Sequence, residues 1–532
     1  MTSLFFWIGS WYFRLTQEVP KQGGEYIEGV VGQPMYVNPL LSQTSEADSD
    51  LVQLIYSGLL KYDNQGNLVN NLAESYEISS DQKTHTVHLR KNIKWHDGEQ
   101  LDASDVFFTL SVVQDPAYKS PLRQNWQGVE VSQVDDYTLS FALNSPYFGF
   151  PRNLTMGILP KHIWENIAPE KFSLAEYNLR PIGSGPYQFS DLQKDSSGNI
   201  LTYNLAAFKD YFEGQPNISK ITFNFYPDED AAVSAYNEKE IKGIGNIAPE
   251  KISEIKVSKS TRIHELNIPR YFAVFFNQTK NIALANDDVR KALAYGTNRQ
   301  EIIENVLHGK GTAVHSPFLL QMKECEQEIN KYDFDIQKAE KILEESGWKY
   351  DEGEKVRKKG DVKLEFSIFT TDWPELSQTA DILRGQWEKI GAKVKVEVLA
   401  VSDLQQNYIR PREYDALLFG QAVSFSPDPY SFWHSSQKKD PGLNLSLLDD
   451  KKADELLEKA RQELDENKRV EYYHEFQKVV AEEIPAVFLY SPSYLYPVSQ
   501  KVKGIRMENV NSPSGRFSEA DKWYIKTKRV RK

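Results

Sequence analysis

The residues best suited to chemistry lie in the stretch 95–108, WHDGEQLDASDVFF. His96 stands beside Asp97, and three further acids follow, a combination that could bind a metal ion or move protons. A structural interpretation accounts for the same residues. Asp97 precedes a glycine and forms a turn dipeptide, while Asp102 suits a helix N-cap and Asp105 favours the positive start of that helix. The pattern therefore favours a turn and a capped helix over an acid/base site.

Histidine and cysteine usage gives no support for a metal centre. Among the nine histidines, only His85 and His88 are closely spaced, and they lie in an alternating segment that predicts a strand. Their side chains would point to opposite faces and could not bind one ion together. The single cysteine, Cys325, excludes an internal disulfide. The chain has no P-loop, GxGxxG, HExxH, CxxC or GxSxG motif. We expect no metal and no cofactor.

A second cluster lies at residues 425–437, FSPDPYSFWHSSQ. Two prolines stiffen this segment, which also holds Asp428 and His434, and rigid loops that present aromatic rings often contact ligands. Tyr430 and Trp433 could bury apolar ligand surface while offering a hydrogen bond. The alternative is a rigid loop that only covers the core.

The elements that must position these residues follow from hydrophobic periodicity. Asn286 and Asn298 stand at predicted helix N-caps. The strand, helix and strand patterns between residues 363 and 399 indicate an α/β layer. The segment GSGPY, residues 183–187, suits a crossing between domains. The predicted helices are residues 50–60 with a stop at Gly58, 287–296, 299–309, 335–346, 375–390 and 449–464. The predicted strands are residues 84–90, 137–143, 221–226, 271–277, 363–370 and 394–399.

Length and charge restrict the class of protein. A chain of 532 residues exceeds the size of one hydrophobic core, so we expect two or three domains. The net charge is −12 and the basic residues are scattered. Because nucleic-acid binding depends on clustered positive charge, the chain is not expected to bind nucleic acid.

The two ends of the sequence have contrasting compositions. LFFWIGSWYF, residues 4–13, is apolar and aromatic, but it is shorter than the roughly 20 residues that span a bilayer. We favour an export-signal remnant or an uncleaved membrane anchor over a short buried or interfacial segment. KTKRVRK, residues 526–532, is interpreted as a solvated tail that could contact an anionic membrane surface.

Five segments in this order resemble the family 5 extracellular solute-binding proteins. They are YSGLLKYDNQGNLVNNLAESYEIS at 56–79, HTVHLRKNIKWHDGEQLDASDVFFTL at 85–110, GSGPY, NDDVRKALAYGTNRQEII at 286–303 and DPYSFWHSS at 428–436. Members of this family are the oligopeptide-, dipeptide- and nickel-binding components of ABC importers. The resemblance extends from about residue 24 to about residue 503.

The resemblance implies an α/β fold of the periplasmic-binding-protein-like type II class, cluster C. Such a fold has three lobes, two of which clasp the ligand and are joined by a hinge. Residues 1–20 would be the export signal or anchor. Lobe I would comprise residues 21–60, 183–270 and 491–532. Lobe II, with the WHDG segment, would comprise residues 61–182, and lobe III residues 271–490.

The resemblance also implies ligand contacts. Some peptide-binding members hold the peptide amine with an acid in a D-Y-x-[DE]-P segment. Here the stretch reads FSPDP, so Phe425 stands in the place of that acid and only Asp428 and Pro429 match. A free peptide amine would then need Asp428 or another acid. The expected ligand contacts are Tyr36, Asn38, Phe425, Asp428, Tyr430, Trp433, His434 and Tyr490.

These expectations describe a monomeric, non-enzymatic binding protein in the periplasm or on the outer face of the cytoplasmic membrane. It would capture a peptide or peptide-like solute by lobe closure and deliver it to ABC permease subunits in the membrane. An oligosaccharide ligand is the alternative, since stacked rings need no charged anchor and Phe425 suits them. A hydrolase that uses His96 with Asp97, or His434 with Asp428, is a third and less supported hypothesis.

Overall fold

The computed structural model describes residues 15–256, 260–425 and 427–531, which form two compact units. Unit 1 comprises the described residues of 15–145, 150–268 and 494–531. Unit 2 comprises residues 146–149 and the described residues of 269–493. The residues predicted as lobe III lie within unit 2. The three-lobe division stays a prediction.

Unit 1 contains a mixed sheet built around the strand Glu25–Val31. This strand runs parallel to both of its neighbours. The strands further out on either side pair antiparallel. Across the sheet the strands are Tyr187–Lys194, Ile200–Ala207, Lys220–Tyr226, Glu25–Val31, Gly243–Ile244 and the unit 1 part of Ala486–Ser499, with Thr261–Asn267 also paired to the last. The helices of unit 1 are Glu46–Ile55, Ala103–Gln114, Lys161–Trp164, Pro169–Phe172 and Glu229–Asn237.

A second sheet in unit 1 is antiparallel and carries the predicted histidine strand. Its order is Ala73–Ile78, Thr84–Leu89, Thr138–Leu143 and Val129–Asp135. His85 is buried while His88 is half-buried, in an alternating pattern along the strand. The strands predicted at 84–90 and 137–143, and the opposite faces of the two histidines, are therefore confirmed. The short strands Leu60–Tyr62 and Leu68–Asn70 form a separate pair.

The helix predicted at residues 50–60 is shifted in the structure. It spans Glu46–Ile55, and the Ser45 side chain accepts from the backbone N–H of Asp48 at its start. The helix ends before Gly58 because the carbonyl of Ile55 accepts instead from the N–H of Gly185 at 2.8 Å. Gly58 forms an isolated β-bridge with Gly157.

The basic end of the chain is part of a β-ribbon. Lys526–Arg531 pairs antiparallel with Thr16–Lys21 over six residue pairs. The prediction of a solvated tail is wrong because the partner strand lies some 500 positions away and left no local signal. Residues 16–20, predicted as part of the N-terminal segment, belong to this ribbon, whereas the apolar run 4–13 lies outside the described residues. Within the described ranges, no helix is long and apolar enough to cross a bilayer.

Unit 2 is built on a sheet with both faces buried. Its strands are, in order, Lys393–Leu399, Glu365–Thr371, Ala416–Ala422, Arg270–Phe276 and the unit 2 part of Ala486–Ser499, to which Gly311–Ala313 also pairs. Along Arg270–Phe276, Phe272, Val274 and Phe276 enter one hydrophobic cluster. The intervening residues enter the other cluster. Burial on both faces explains why this strand is almost continuously apolar.

Several helices of unit 2 begin at polar caps. Asn286 and Asn298 each accept a backbone N–H at a helix start, as predicted, and Asp335 and Asp450 do the same at two further helices. The helices are Asp287–Tyr295, Arg299–Val306, Ile336–Glu345, Pro374–Lys389, Val401–Asp403, Tyr430–Trp433, Lys451–Gln462 and Glu466–Glu483. A small separate sheet comprises Lys349–Asp351, Val356–Lys359 and Val362–Lys363.

Candidate functional site

The acids of the 95–108 stretch form a helix cap. Asp102 is the N-cap residue of Ala103–Gln114 and accepts from the N–H of Ser104 at 2.7 Å. Asp105 accepts from the N–H of Asp102 at 3.1 Å, which completes a capping box. The indole of Trp95 also donates to Asp105, at 3.3 Å. The predicted turn and capped helix are confirmed.

His96 holds the neighbouring GSGPY segment in place. Its Nε2 lies 3.0 Å from the carbonyl oxygen of Gly185, and its Nδ1 accepts from the N–H of Gly183 at 3.1 Å. Burial lowers the pKa of His96 to about 4, so the ring is neutral at physiological pH, with Nε2 carrying the proton. Both nitrogens are thus engaged by backbone groups, which leaves neither for proton transfer. Asp97 instead contacts His162, with Oδ2 and Nε2 2.7 Å apart.

The predicted pair His434 and Asp428 is divided between different partners. His434 Nδ1 lies 2.8 Å from the hydroxyl of Ser436, and Nε2 lies 3.3 Å from the carboxylate of Glu458. Asp428 forms an ion pair with Arg461, whose Nε lies 3.1 Å from Oδ2. These contacts describe structural polar groups in unit 2 and give no nucleophile and base arrangement.

Asp428 and Tyr430 belong to a cluster around Arg461. The guanidinium carbon of Arg461 lies 4.5 Å from the ring centroid of Tyr430 and 4.8 Å from that of Tyr147, within cation–π range. Burial alone would lower the pKa of Arg461, but Asp428 and the two tyrosines outweigh it and raise that pKa. The Asp428 side chain is only 7 % exposed. A ligand amine at Asp428 would therefore compete with an arginine already in place.

Three of the predicted ligand residues are enclosed by protein. Asn38 is buried, donates to the side-chain oxygen of Asn178 at 3.1 Å and accepts from a backbone N–H. Trp433 is buried against Phe275 and Phe488 in one core cluster of unit 2. Tyr490 is buried in the other cluster, with its hydroxyl 3.1 Å from that of Thr379.

The remaining predicted contacts are half-buried. Tyr36 lies in unit 1, in the segment after Glu25–Val31, and Phe425 packs against the same core cluster of unit 2 as Trp433. The structure thus brings the residues of the 425–437 loop together within unit 2, with Tyr36 and Asn38 in unit 1. Ligand contact by these eight residues stays a prediction.

Unit 2 offers a better-defined site at one edge of its sheet. The parallel strands Glu365–Thr371, Lys393–Leu399 and Ala416–Ala422 all end there, and the antiparallel strand Arg270–Phe276 begins there, with Arg270 opposite Ala422. We call this the carboxyl edge. In open α/β sheets, ligands bind outside the carboxyl ends of the strands.

Two side chains at the carboxyl edge have features that suit a ligand. Trp373 follows Glu365–Thr371 and is 51 % exposed at the start of the helix Pro374–Lys389. Arg270 is half-buried, and its buried Nε has no hydrogen-bond acceptor among the described residues. Sequence reasoning missed both, although the signal for Trp373 was present in the predicted strand end followed by Asp-Trp-Pro.

Unit 1 contains a group of strongly perturbed ionisable side chains. Arg516 Nη1 donates to Asp50 Oδ1 at 2.7 Å, and Arg516 Nη2 donates to Glu28 Oε1 at 3.1 Å. Burial raises the pKa of Asp50 to about 7 and also raises that of Glu28, despite the opposing effect of Arg516. All three side chains are buried, so this buried ion cluster cannot meet a solute directly. Its members are too far apart in sequence to be recognised as a motif.

The described residues contain no group of three or more His, Cys, Asp or Glu side chains that could hold a metal ion. The candidate site therefore consists of the carboxyl edge of unit 2 and the neighbouring 425–437 loop. The exposed ring of Trp373 and the half-buried guanidinium of Arg270 can bind a solute without covalent chemistry.

The chain is similar to known solute-binding proteins over almost its full length. The profile of a family described as bacterial extracellular solute-binding proteins, family 5 Middle, matches residues 67–444. The oligopeptide-binding protein AppA of Bacillus subtilis (strain 168) is 30% identical over 514 residues, which cover 95% of this chain and 92% of AppA. Its structure in complex with a nonapeptide has a TM-score of 0.76 at 29% identity and covers 96% of this chain and 100% of that chain. The ABC transporter substrate binding protein CtaP from Listeria monocytogenes has a TM-score of 0.82 at 28% identity and covers 95% of this chain and 99% of that chain.

Proposed function

The chain belongs to the bacterial extracellular solute-binding proteins of family 5, and from this premise we propose that it captures peptides and delivers them to an ABC importer. The observation that carries the proposal is the similarity to AppA over 95% of this chain. AppA is an oligopeptide-binding protein whose structure holds a nonapeptide, and CtaP is an ABC transporter substrate binding protein. In this proposal the chain acts as a monomer and does no chemistry on the ligand.

The proposed binding surface is the carboxyl edge of unit 2. Trp373 presents half of its surface to solvent, and a ring of this size can cover the apolar part of a peptide at low entropic cost. Arg270 supplies an N–H donor that has no acceptor among the described residues. A buried donor without an acceptor costs about 1–3 kcal/mol, so a turn of the half-buried Arg270 side chain that brings Nε to a peptide carbonyl or carboxylate would recover free energy.

The proposed ligand does not depend on Asp428 for its amine. Asp428 is paired with Arg461, and Phe425 packs against the core of unit 2. We therefore expect recognition to rest on the peptide main chain and on contact with rings. Such recognition tolerates varied side chains, because backbone groups are common to all peptides.

Native mass spectrometry of the purified full chain tests the ligand class. We expect bound masses that correspond to a set of peptides and are released intact on denaturation. A bound sugar would refute the peptide assignment in favour of the oligosaccharide alternative. Shortened peptides produced during incubation with a peptide library would refute the non-enzymatic role.

Calorimetric titration with the recovered peptides tests the proposed surface. Trp373→Ala should weaken binding about tenfold or more, as loss of a central aromatic contact does. Tyr350→Ala is the matched control, because Tyr350 is 43 % exposed in unit 2 and lies beside Gly391, ahead of the strand Lys393–Leu399 and away from the carboxyl edge. Equal affinities for the wild type and Trp373→Ala would refute this surface while leaving the ligand class standing.

A further inference from the structure

The ribbon formed by Thr16–Lys21 and Lys526–Arg531 is the most positively charged element of the described chain. It contains five basic residues and one acid, Glu18. The chain as a whole carries a net charge of −12. This local reversal of sign marks the ribbon as a surface for an anionic partner.

The register of the ribbon gathers its lysines on one face. Lys21 lies opposite Lys526, and Val19 lies opposite Lys528. Because alternate residues of a strand share a face, Lys21, Lys526 and Lys528 point to the same side. All three are exposed, and no acid lies on this face of the ribbon. We call it the lysine face.

The three lysines take part in no ion pair within the described ranges of the chain. The opposite face differs, since Arg529 lies 3.6 Å from Glu18 and also donates to the hydroxyl of Thr16 at 2.9 Å. The lysine face therefore keeps its full charge for an external partner.

The ribbon holds these charges in a fixed arrangement. Its two strands pair over six positions, and its base is attached to unit 1, where the N–H of Gly23 donates to the carbonyl of Asn217 at 2.8 Å and Ile525 packs against Gly24. A charged tail would lose conformational entropy on binding, whereas ordered strands have already lost it.

We propose that the lysine face docks on the surface of an anionic lipid bilayer. The sequence just before the ribbon favours lipid over an acidic protein, because the run 4–13 carries Trp7, Trp11 and Tyr12, rings that prefer the depth of lipid headgroups. Basic side chains beside an apolar aromatic run are the combination that binds membrane surfaces. The recognised groups are headgroup phosphates. The inference is independent of the ligand and rests only on an extracytoplasmic location.

Docking in this way would also orient the protein. An anionic surface repels a chain with a net charge of −12 as a whole but attracts the positively charged ribbon. Attraction decays within about 10 Å at ordinary ionic strength, so this attraction acts only when the lysine face lies close to the lipid.

Vesicle co-sedimentation of the full chain tests the proposal. The probes are vesicles of phosphatidylcholine with about 30 % of the anionic lipid phosphatidylglycerol and vesicles of phosphatidylcholine alone. We expect binding to the anionic vesicles that is lost in high salt. Replacing Lys526 and Lys528 with Gln removes about 1 kcal/mol of attraction per lysine, which corresponds to a roughly 30-fold lower partition coefficient.

The matched control changes two exposed lysines elsewhere. The double variant Lys451→Gln, Lys452→Gln lies at the start of a helix in unit 2. It changes the net charge by the same amount as the ribbon variant, but it should leave the partition coefficient unchanged. Circular dichroism before and after heating checks that both variants are folded. The proposal is overturned if the ribbon variant binds as the wild type does, if both variants lose binding equally, or if the wild type fails to prefer anionic vesicles.

Discussion

The substitution Asp50→Asn tests the physical state of the buried ion cluster. Asp50 is 1 % exposed and lies with Glu28 around the single guanidinium of Arg516. Two carboxylates and one cation in a region without solvent favour the uptake of one proton. Burial raises the pKa of Asp50 from 3.8 to about 7, so Asp50 carries this proton in the folded state below neutral pH.

The sign of the effect on stability follows from this raised pKa. Between about pH 4 and pH 7 the folded state holds a proton on Asp50 that the unfolded chain has released. The free energy of unfolding therefore decreases as the pH rises through this interval, by up to about 1.4 kcal/mol per pH unit, and becomes level above pH 7. Over the whole interval, release of this proton lowers the free energy of unfolding by about 4 kcal/mol. Asparagine resembles the protonated acid, so Asp50→Asn should lose this dependence.

Urea unfolding at pH 5, 6, 7 and 8, followed by tryptophan fluorescence, measures the free energy of unfolding of the wild type and of Asp50→Asn. Trp523 reports on unit 1, since its ring centroid lies 5.6 Å from that of Tyr26, which contacts Glu28. The variant should gain stability relative to the wild type as the pH rises and be the more stable protein at pH 8. The control is Asp210→Asn, an exposed acid 3.2 Å from Lys94. The reasoning is refuted if the free energies of unfolding of the wild type and of Asp50→Asn differ by the same amount at every pH from 5 to 8.

Two further predictions concern local structure. Asp102→Ala should lower the free energy of unfolding by about 1 kcal/mol, as loss of an N-cap does, and leave peptide affinity unchanged in calorimetry; a large binding loss at unchanged stability would contradict the capping role. Gly183→Ala should lower the stability by about 1–3 kcal/mol, because its Cβ would overlap the carbonyl oxygen of Ile55. Gly385→Ala is the comparison: no atom lies within 4 Å of the added Cβ in the helix Pro374–Lys389, so it should raise the stability by about 0.5–1 kcal/mol. The packing argument is contradicted if the Tm of thermal unfolding shifts in the same direction for Gly183→Ala and Gly385→Ala.

The parts of the fold that the sequence predicted depend on short-range rules. Caps such as Asn286 and Asp102 act within three residues, and the apolar strand Arg270–Phe276 has a pattern that reflects burial on both faces. The family and the α/β fold are confirmed because the quoted segments are distinctive and occur in the expected order.

The parts that the sequence left open depend on distant partners. Nothing near Lys526 indicates that Thr16–Lys21 will pair with it. The sequence near Trp433 shows that the loop is aromatic but not which way each ring points. A ring in a loop can face the core as readily as a ligand. For Arg270, the missing acceptor at Nε becomes visible only once the neighbouring strands are in place.

Unit 1 joins the two ends of the chain, and this has a consequence for the order of folding. Arg516 lies 466 positions after Asp50, an interval of about 20 to 90 s at ordinary rates of synthesis. During that time Glu28 and Asp50 lack the cation with which they are buried in the native state, so this part of unit 1 cannot reach its native packing. Unit 2, which is almost one continuous stretch, has its strands together earlier. A machinery that exports unfolded chains would therefore meet a protein in which Glu28 and Asp50 are made long before they can reach their native contacts.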